Sequence, residues 1–352
     1  MFGFLRNWKA PQQSPNRLND NRSRLRLETL EAREVPAAFR TVTALGDVFD
    51  RTNDATSLTL REALEDANAS NQAGPLEIDF DPVKLDGKTI VIDSKLPRFL
   101  KHIELNGPAN RVTIQRNATK GDFRLMEIAP TVPVKLTNLR LYDGRAIGAN
   151  ESGGAVLNYG NLTVKNCEVA GNEASANGGG ISSANGSVID VSDSAINFNK
   201  AGGDGGGLFV SYNVQATVKN TLISLNEAEY GAGIAVGTAD MQTASLTLSG
   251  VDVRGNLAAK KGGGIYVAPI PLATPIITLK DNTFIRDNRV LDNVTAQGGG
   301  VYLGTGTINL NGVSIGDNHA LAGDGMYRKQ GTTKNVNQMA PVYVAGDQEV
   351  VG

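Results

Sequence analysis

The sequence has few of the residues that carry metal, redox or disulfide chemistry. It contains one cysteine, Cys167, and two histidines, His102 and His319, among 352 residues. A single cysteine excludes an intrachain disulfide framework, and so small a set of cysteines and histidines argues against a zinc site. We therefore predict no metal and no cofactor.

Charge imbalance and long apolar runs are also missing. The 34 basic residues nearly balance 36 acidic ones, and no basic stripe with interleaved aromatic residues occurs, so we predict no nucleic-acid partner. No segment approaches the roughly 20 consecutive apolar residues of a membrane-spanning helix, so we predict no transmembrane segment. The first 40 residues lack the apolar core of an ordinary secretory signal. We interpret residues 1 to 38 as a disordered leader.

Glycine is abundant, and its positions reveal a repeat. The chain has 41 glycines and one tryptophan, a composition that favours turns and strands over helices. Small-residue triplets recur at intervals of 25, 27, 26, 31, 36 and 25 residues, a period near 26 with insertions. The triplets begin at Gly153, Gly178, Gly205, Gly231, Gly262, Gly298 and Gly323. Each unit closes on an asparagine: Asn172, Asn199, Asn226, Asn256, Asn288 and Asn318.

Three columns of equivalent residues predict strands in which every second side chain faces inward. Three residues before each asparagine, every side chain is β-branched: Val169, Ile196, Ile223, Val253, Ile285 and Ile315. Five residues before it, from Cys167 onward, every side chain is small or β-branched. Three residues after each triplet start, every side chain is apolar, from Val156 to Met326. Alternation of this kind is the signature of a half-buried strand.

Three short strands per unit, stacked without helices, predict an all-β parallel β-solenoid. Successive coils would then lie about 4.8 Å apart, so equivalent residues stack directly on one another. Glycine tolerates positive φ at a corner, and stacked asparagines can pass side-chain hydrogen bonds from coil to coil. We predict a structural asparagine ladder formed by the six asparagines that close the units.

The residues just before the solenoid predict a short helix. Leu58, Leu60, Leu64 and two alanines recur at helical spacing, and Thr59 with Glu62 makes a capping box. We predict an N-terminal strand and capping helix over residues 39 to 75, which cover the open end of the stack. The solenoid is predicted over residues 76 to 328, with irregular coils to 152 and regular coils of about 26 residues from 153, followed by a C-terminal cap or tail over 329 to 352.

These motifs resemble known bacterial surface proteins. Gly153-Gly154-Ala155-Val156 matches the G-G-A-[ILV] hallmark of chlamydial polymorphic outer-membrane protein repeats, and INFN (196 to 199) is similar to their F-x-x-N hallmark, although Val or Ile usually replaces the phenylalanine. The stretch SLTLREALEDANASN (57 to 71) resembles the CSLREA segment that precedes right-handed β-helices, without the family cysteine. LETLEAREVPA (27 to 37) resembles a leader motif of planctomycete-type surface proteins. The resemblance implies a right-handed single-stranded parallel β-helix that is extracellular or at the cell surface, associated with the outer membrane.

The outward columns give little support for catalysis. Glu168 and Asp252 are three coils apart, about 14 Å at the solenoid rise, which exceeds the roughly 6.5 to 9.5 Å of an inverting glycosidase pair. GGDGGGLFV (202 to 210) is similar to a calcium-binding repeat, but Asp204 is misplaced and no tandem copy follows. We predict a non-catalytic adhesive or structural module. The alternative is a polysaccharide lyase or glycosidase-like enzyme, active or degenerate.

Aromatic residues form the most suggestive outward column. Tyr266, Tyr302 and Tyr327 lie on successive coils, with Phe209 on an earlier one. We predict an exposed column that binds a polysaccharide or a cell-surface protein. Stacked tyrosines that only stabilise the sheet are the alternative. Two insertions, residues 268 to 275 and 289 to 297, fall in one coil and are candidate binding loops.

Overall fold

The computed structural model describes residues 38 to 47, 57 to 184, 186 to 237, 243 to 270, 272 to 337 and 342 to 350. The chain separates into two units, Met1–Ala37 and Ala38–Gly352. The leader predicted over residues 1 to 38 and the LETLEAREVPA motif lie outside the described residues, except for Ala38. The second unit is a parallel β-solenoid, as the repeat predicts.

The chain before residue 153 already forms coils. The irregular coils predicted before residue 153 contain short strands from residue 76 onward. The elements are β1 (Arg40–Val42), α1 (Leu60–Ala69), β2 (Leu76–Phe80), β3 (Thr89–Ile92), β4 (Ile103–Asn106), β5 (Val112–Arg116), β6 (Met126–Ile128), β7 (Pro133–Thr137), β8 (Leu139–Tyr142) and β9 (Arg145–Ala146).

The repeats from residue 153 give regular coils. Their strands are β10 (Val156–Asn158), β11 (Asn161–Lys165), β12 (Glu168–Ala170), β13 (Glu173–Ala174), β14 (Ile181–Ser183), β15 (Val188–Ser192), β16 (Ala195–Asn197), β17 (Lys200–Ala201), β18 (Leu208–Val210), β19 (Gln215–Lys219), β20 (Leu222–Ser224), β21 (Glu227–Tyr230), β22 (Ile234–Val236), β23 (Ser245–Ser249), β24 (Asp252–Arg254) and β25 (Leu257–Lys261). The last coils contain β26 (Ile265–Val267), β27 (Ile276–Arg286), β28 (Arg289–Val290), β29 (Val301–Leu303), β30 (Thr307–Gly316), β31 (Met326–Lys329), β32 (Thr333–Val336), β33 (Val342–Val344) and β34 (Asp347–Val350).

Each of the four coils over residues 153 to 261 has four strands rather than the predicted three, and the next two coils have fewer because two of the strands merge into β27 and β30. We name the four strands the glycine strand (as β10), the middle strand (β11), the asparagine strand (β12) and the corner strand (β13). Glycine strands form a nine-stranded sheet, corner strands a six-stranded sheet, and middle and asparagine strands belong to a 19-stranded sheet. The corner strand was not predicted because it is only two to five residues long and directly follows the asparagine, where the sequence signal is that of a turn.

The predicted inward columns form the core. Val169 pairs with Ile196, Ile196 with Ile223, and the file continues in parallel register to Ile315. All six side chains of this column have zero exposure. The column of the glycine strands, from Val156 to Met326, is equally buried, and both belong to one hydrophobic core. The prediction of one continuous buried file is confirmed.

Corner residues adopt the backbone conformations that their types allow. Gly205 has a φ of 70°, and a Cβ there would lie 2.5 Å from the carbonyl oxygen of Leu208. The glycines that open the other six triplets also have positive φ. So do the residues six positions before each asparagine: Asn166, Asp193, Asn220, Gly250, Asn282 and Gly312. Asparagine and aspartate tolerate this region better than other non-glycine residues, which explains the composition of that column.

The predicted helix α1 carries the predicted capping box. The Thr59 hydroxyl accepts a hydrogen bond from the backbone N–H of Glu62, and the Glu62 carboxylate accepts one from the backbone N–H of Thr59. Four α1 side chains lie in the main core: Leu60, Ala63, Leu64 and Ala67. After residue 329, β32 and β33 pair with β30, and β34 pairs with β31, so the tail adds to the same sheets.

Candidate functional site

The six closing asparagines form a buried hydrogen-bond ladder along one corner. In the five from Asn199 to Asn318, the side-chain Oδ1 accepts hydrogen bonds from the backbone N–H and the Nδ2 of the asparagine one coil earlier, at 2.8 to 3.1 Å. Asn172 Oδ1 accepts instead from the backbone N–H of Gly144 at 2.8 Å. The side chains are at most 3% exposed. The ladder supplies hydrogen-bond partners for backbone groups at the turn, where they would otherwise be buried and unpaired.

Cys167 is a core residue of the same coils. It is 1% exposed, and burial raises the pKa of its thiol to about 11. A thiol that stays protonated at neutral pH is a poor nucleophile.

The tyrosine column is stacked but not exposed, so the prediction of an exposed aromatic column is wrong for these residues. The ring centroids of Tyr266 and Tyr302 lie 5.3 Å apart, and those of Tyr302 and Tyr327 lie 5.4 Å apart. Their exposures are 8%, 0% and 5% in chain order. Tyr230, which precedes a glycine triplet, extends the stack with a centroid distance of 4.9 Å to Tyr266.

Residues on both flanks of the glycine strands bury this stack. Tyr230, Ala268 and Ala322 pack against it, and the Lys261 ammonium lies 5.0 Å from the Tyr302 ring centroid. Burial raises the pKa of Tyr302 to about 12, and its hydroxyl has no hydrogen-bond partner among the described residues. A two-residue periodicity identifies the outward face but gives no sign of these flanking side chains.

Phe209, the fourth member of the predicted column, lines an open pocket. The pocket has a volume of about 300 Å³ and lies on the outer face of the glycine strands of the earlier coils. It is lined by Arg124, Asn150, Glu151, Ser152, Leu157, Tyr159, Ser182, Ala184, Phe209 and Ser211. Two aromatic rings and several hydroxyl, amide and charged groups therefore surround one concavity.

The coil geometry places these side chains side by side. Leu157, Ser182 and Phe209 occupy the same outward position of β10, β14 and β18, and they are in register. The Phe209 ring extends over the next coil, where a Cβ on Gly237 would lie 2.6 Å from its Cζ atom. A glycine at position 237 thus leaves the space that this ring occupies. Tyr159 directly follows β10, and its ring lies 5.6 Å from the Arg98 guanidinium.

A charged cluster borders the pocket toward the N-terminus. Arg124 forms ion pairs with both Glu127 and Glu151. Glu127 also pairs with Lys95 at 3.0 Å and Arg98 at 3.1 Å. Burial alone would raise the pKa of Glu127, but these three cations outweigh it and hold the pKa below its usual value. Glu127 therefore remains ionised at neutral pH.

Asp204 is a carboxylic acid whose surroundings raise its pKa. It directly precedes Gly205, and its backbone N–H donates to Asn177 Oδ1 at 2.9 Å. Burial first, and then the negative charge of Glu229, raise the pKa of Asp204 to about 6. Its charge also contributes to the raised pKa of Tyr266. A carboxyl group with such a pKa exchanges protons close to neutral pH.

The carboxylates named from the outward columns do not come together. Glu168 pairs with Arg140 at 2.7 Å and Asp252 with Arg286 at 2.8 Å, each on its own coils. Among the described residues, no three His, Cys, Asp or Glu side chains form a group that could hold a metal ion. Sequence reasoning missed Arg124, Glu151 and Tyr159, because they lie outside the repeated columns and become neighbours only when the coils stack.

The two insertions have different surroundings. In residues 268 to 275, Ala268 packs on the tyrosine stack and Leu272 is 76% exposed. In residues 289 to 297, Val294 is 84% exposed, and the Asp292 carboxylate accepts hydrogen bonds from the backbone N–H groups of Val294 and Thr295. Neither insertion contributes a residue to the pocket beside Phe209.

Within the described ranges, no helix combines the length and the apolar character that a bilayer crossing requires. Comparison with protein-family models, with curated proteins and with solved structures gave no match.

Proposed function

We propose that this protein is a non-catalytic, exported β-solenoid that binds a polysaccharide in the pocket beside Phe209. The observation that carries the proposal is the composition of that pocket, in which the Phe209 and Tyr159 side chains stand among serine, asparagine and charged groups. The remainder of the solenoid is the rigid scaffold that holds them.

The pocket suits a sugar for two physical reasons. Aromatic rings offer flat apolar surfaces to the C–H faces of a pyranose, and hydroxyl and amide groups can exchange hydrogen bonds with its hydroxyls. A volume of about 300 Å³ is at the lower end for small-molecule sites. One or two saccharide units at a time would fit, and a longer chain would extend along the outer face of the glycine strands.

Ionised carboxylates favour binding over hydrolysis at this pocket. Glycosidases need one carboxyl group that is protonated as a general acid, with a raised pKa. The pKa of Glu127 is instead lowered by its three cationic partners, and Glu151 is paired with Arg124. Glu127 is therefore suited to orient a ligand rather than to donate a proton.

The proposal also includes the location and the finer architecture. Crossover connections between parallel strands are right-handed in about 98% of cases, which supports a right-handed coil. Because α1 contributes four buried side chains to the core, we assign it the role of cap at the N-terminal end of the stack. The resemblance of the leader and CSLREA-like segments to those of bacterial surface proteins supports export to the cell surface or beyond.

Binding to a polysaccharide panel tests the proposal. We expect retention of the purified chain on at least one polysaccharide, with an affinity at least tenfold lower for Phe209→Ala. Phe284→Ala is the matched control, because Phe284 is 44% exposed on an asparagine strand and lies outside the pocket. Equal binding by the two variants, or no binding by the wild type, would contradict the proposal.

A carbohydrate-active enzyme is the second candidate, and Asp204 is the observation in its favour. A carboxyl group with a pKa of about 6, next to a second carboxylate, has the properties of a general acid. If this candidate is correct, incubation with the same panel gives new reducing ends or unsaturated products, and Asp204→Asn abolishes them. Retention without any product favours the non-catalytic function.

A further inference from the structure

Lys261 has an unusual position for a lysine. It is the last residue of β25, and its ammonium lies 5.0 Å from the centroid of the buried Tyr302 ring. Of the partly buried lysines among the described residues, it alone has no carboxylate within 4.0 Å. The other partly buried lysines form the ion pairs Lys135–Glu104, Lys280–Asp281 and Lys334–Asp347.

The charge of Lys261 is therefore poorly compensated. Burial and the nearby positive charge of Lys329 both lower the pKa of Lys261. Lys329, the last residue of β31, also forms no ion pair with a described residue. A partly buried cation that also feels the charge of a second cation is unfavourable unless an anion accompanies it. The tyrosine face compensates only part of this cost, because a cation–π contact is weaker than an ion pair in a dry site.

Asp292, the acidic residue whose charge acts on Lys261, is engaged elsewhere. Asp292 raises the pKa of Lys261 by less than burial and Lys329 lower it. Its carboxylate accepts hydrogen bonds from the backbone of Val294 and from the backbone and hydroxyl of Thr295. These bonds hold Asp292 within its own loop.

We propose that Lys261, assisted by Lys329, binds an anionic substituent of the polysaccharide, either a carboxylate or a sulfate. This inference rests on the proposed function and specifies its ligand as an acidic polysaccharide. An ammonium group recognises such anions as a point charge, and the anion would relieve the repulsion between the two lysines. Lys261 belongs to the corner strand β25, but its ammonium lies over Tyr302, which shares the outer face of the nine-stranded sheet with Phe209. Phe209 and Tyr302 are three coils apart in register, about 14 Å along the stack, so a chain that is bound at Phe209 and extends along this face reaches the Lys261 ammonium.

Calorimetric titration of the full chain with dextran, dextran sulfate and polygalacturonate tests the proposal. Dextran and dextran sulfate share one backbone and differ only in charge. We expect tighter binding of an acidic polymer than of dextran, weakened by salt. Lys261→Gln should lose at least tenfold in affinity for the acidic polymer, whereas Lys261→Arg keeps most of it. Lys219→Gln is the control, because Lys219 is an exposed lysine on a middle strand. Circular dichroism and thermal melts establish that each variant is folded.

The outcomes separate this inference from the proposed function. Dextran binding that equals binding of the charged polymers, with Lys261→Gln unaffected, would overturn the anion site and leave the polysaccharide pocket intact. Equal losses in Lys261→Gln and Lys219→Gln would indicate general charge attraction and would also overturn it. Titration with inorganic sulfate tests whether the site binds a free anion instead of a polysaccharide. If sulfate alone binds, and Lys261→Gln abolishes that binding, the ligand is a free anion and the polysaccharide assignment is wrong.

Discussion

Substitution of Asn226 by alanine tests whether the corner ladder stabilises the solenoid. The Asn226 side chain is fully buried, and its Oδ1 accepts hydrogen bonds from the backbone N–H of Asn199 at 2.9 Å and from its Nδ2 at 3.0 Å. Its Nδ2 donates to the carbonyl oxygen of Ile196 at 3.0 Å and to Oδ1 of Asn256 at 2.9 Å. Asn226→Ala removes all four bonds.

The energetic cost depends on which groups are left without any hydrogen-bond partner. The backbone N–H of Asn199 loses its acceptor in a corner that is 1% exposed, at a cost of about 1 to 3 kcal/mol. The Nδ2 of Asn199 keeps its bond to Val169, and Oδ1 of Asn256 keeps the backbone N–H of residue 226. The remaining bonds contribute about 1 kcal/mol each. We expect a total loss of about 4 to 6 kcal/mol in the free energy of unfolding.

Urea unfolding followed by circular dichroism measures this loss, and hydrogen exchange of the Asn199 amide locates it. Asn161→Ala is the control, because Asn161 is exposed at the start of β11, and we expect a change within about 0.5 kcal/mol. If Asn226→Ala costs no more than Asn161→Ala and the Asn199 amide remains protected, the ladder does not stabilise the fold as we argue.

Three further predictions concern the outer face of the glycine strands. Tyr302→Phe removes a buried hydroxyl without a partner and keeps the ring, so urea unfolding should give equal or higher stability, by up to about 1 kcal/mol; a clear loss of stability would contradict this. The pKa of Asp204 is about 6 in the folded chain, above the ordinary aspartate value of 3.8, so the folded state binds the proton more tightly and stability falls as pH rises from about 4 through 6. Asp204→Asn should therefore raise the melting temperature at pH 8 and leave it unchanged at pH 4; the same shift at both pH values would contradict the sign. Gly237→Ala should displace the Phe209 ring, because a Cβ at position 237 would lie 2.6 Å from it. We expect a lower glycan affinity in calorimetry; unaltered affinity would show that binding does not depend on the position of this ring.

The repeated part of the fold was predictable because stacking reuses the same chemistry in every coil. A β-branched residue three positions before each asparagine, as at Ile223, identifies an inward position without knowledge of its neighbours. Positive φ at Gly205 and Asn220 follows in the same way, because few other residues tolerate it. Six or seven copies of each signal make the period unmistakable.

The candidate site was much less predictable, because it depends on residues that do not repeat. The burial of Tyr302 depends on Lys261 and on Ala268, which lies in an insertion. The pocket joins Arg124, from an irregular coil, to Phe209 three coils later. Contacts of this kind depend on how far each loop folds back over the sheet. Loop conformation leaves no periodic pattern in the local sequence, so it could not be predicted.

The side-chain amides of the corner all point the same way. In five of them, Asn172, Asn199, Asn226, Asn256 and Asn288, the Nδ2 group donates one hydrogen bond to Oδ1 of the asparagine one coil closer to the C-terminus. Their dipoles therefore add along the axis, and each bond polarises the next. The two ends of the row differ: Asn172 Oδ1 accepts a hydrogen bond from the backbone N–H of Gly144, and Asn318 Nδ2 donates to the carbonyl oxygens of Ile285 and Gly316. A duplicated unit inserted within the row repeats the internal pattern and leaves both ends unchanged, which gives the molecule a simple way to change its length during evolution.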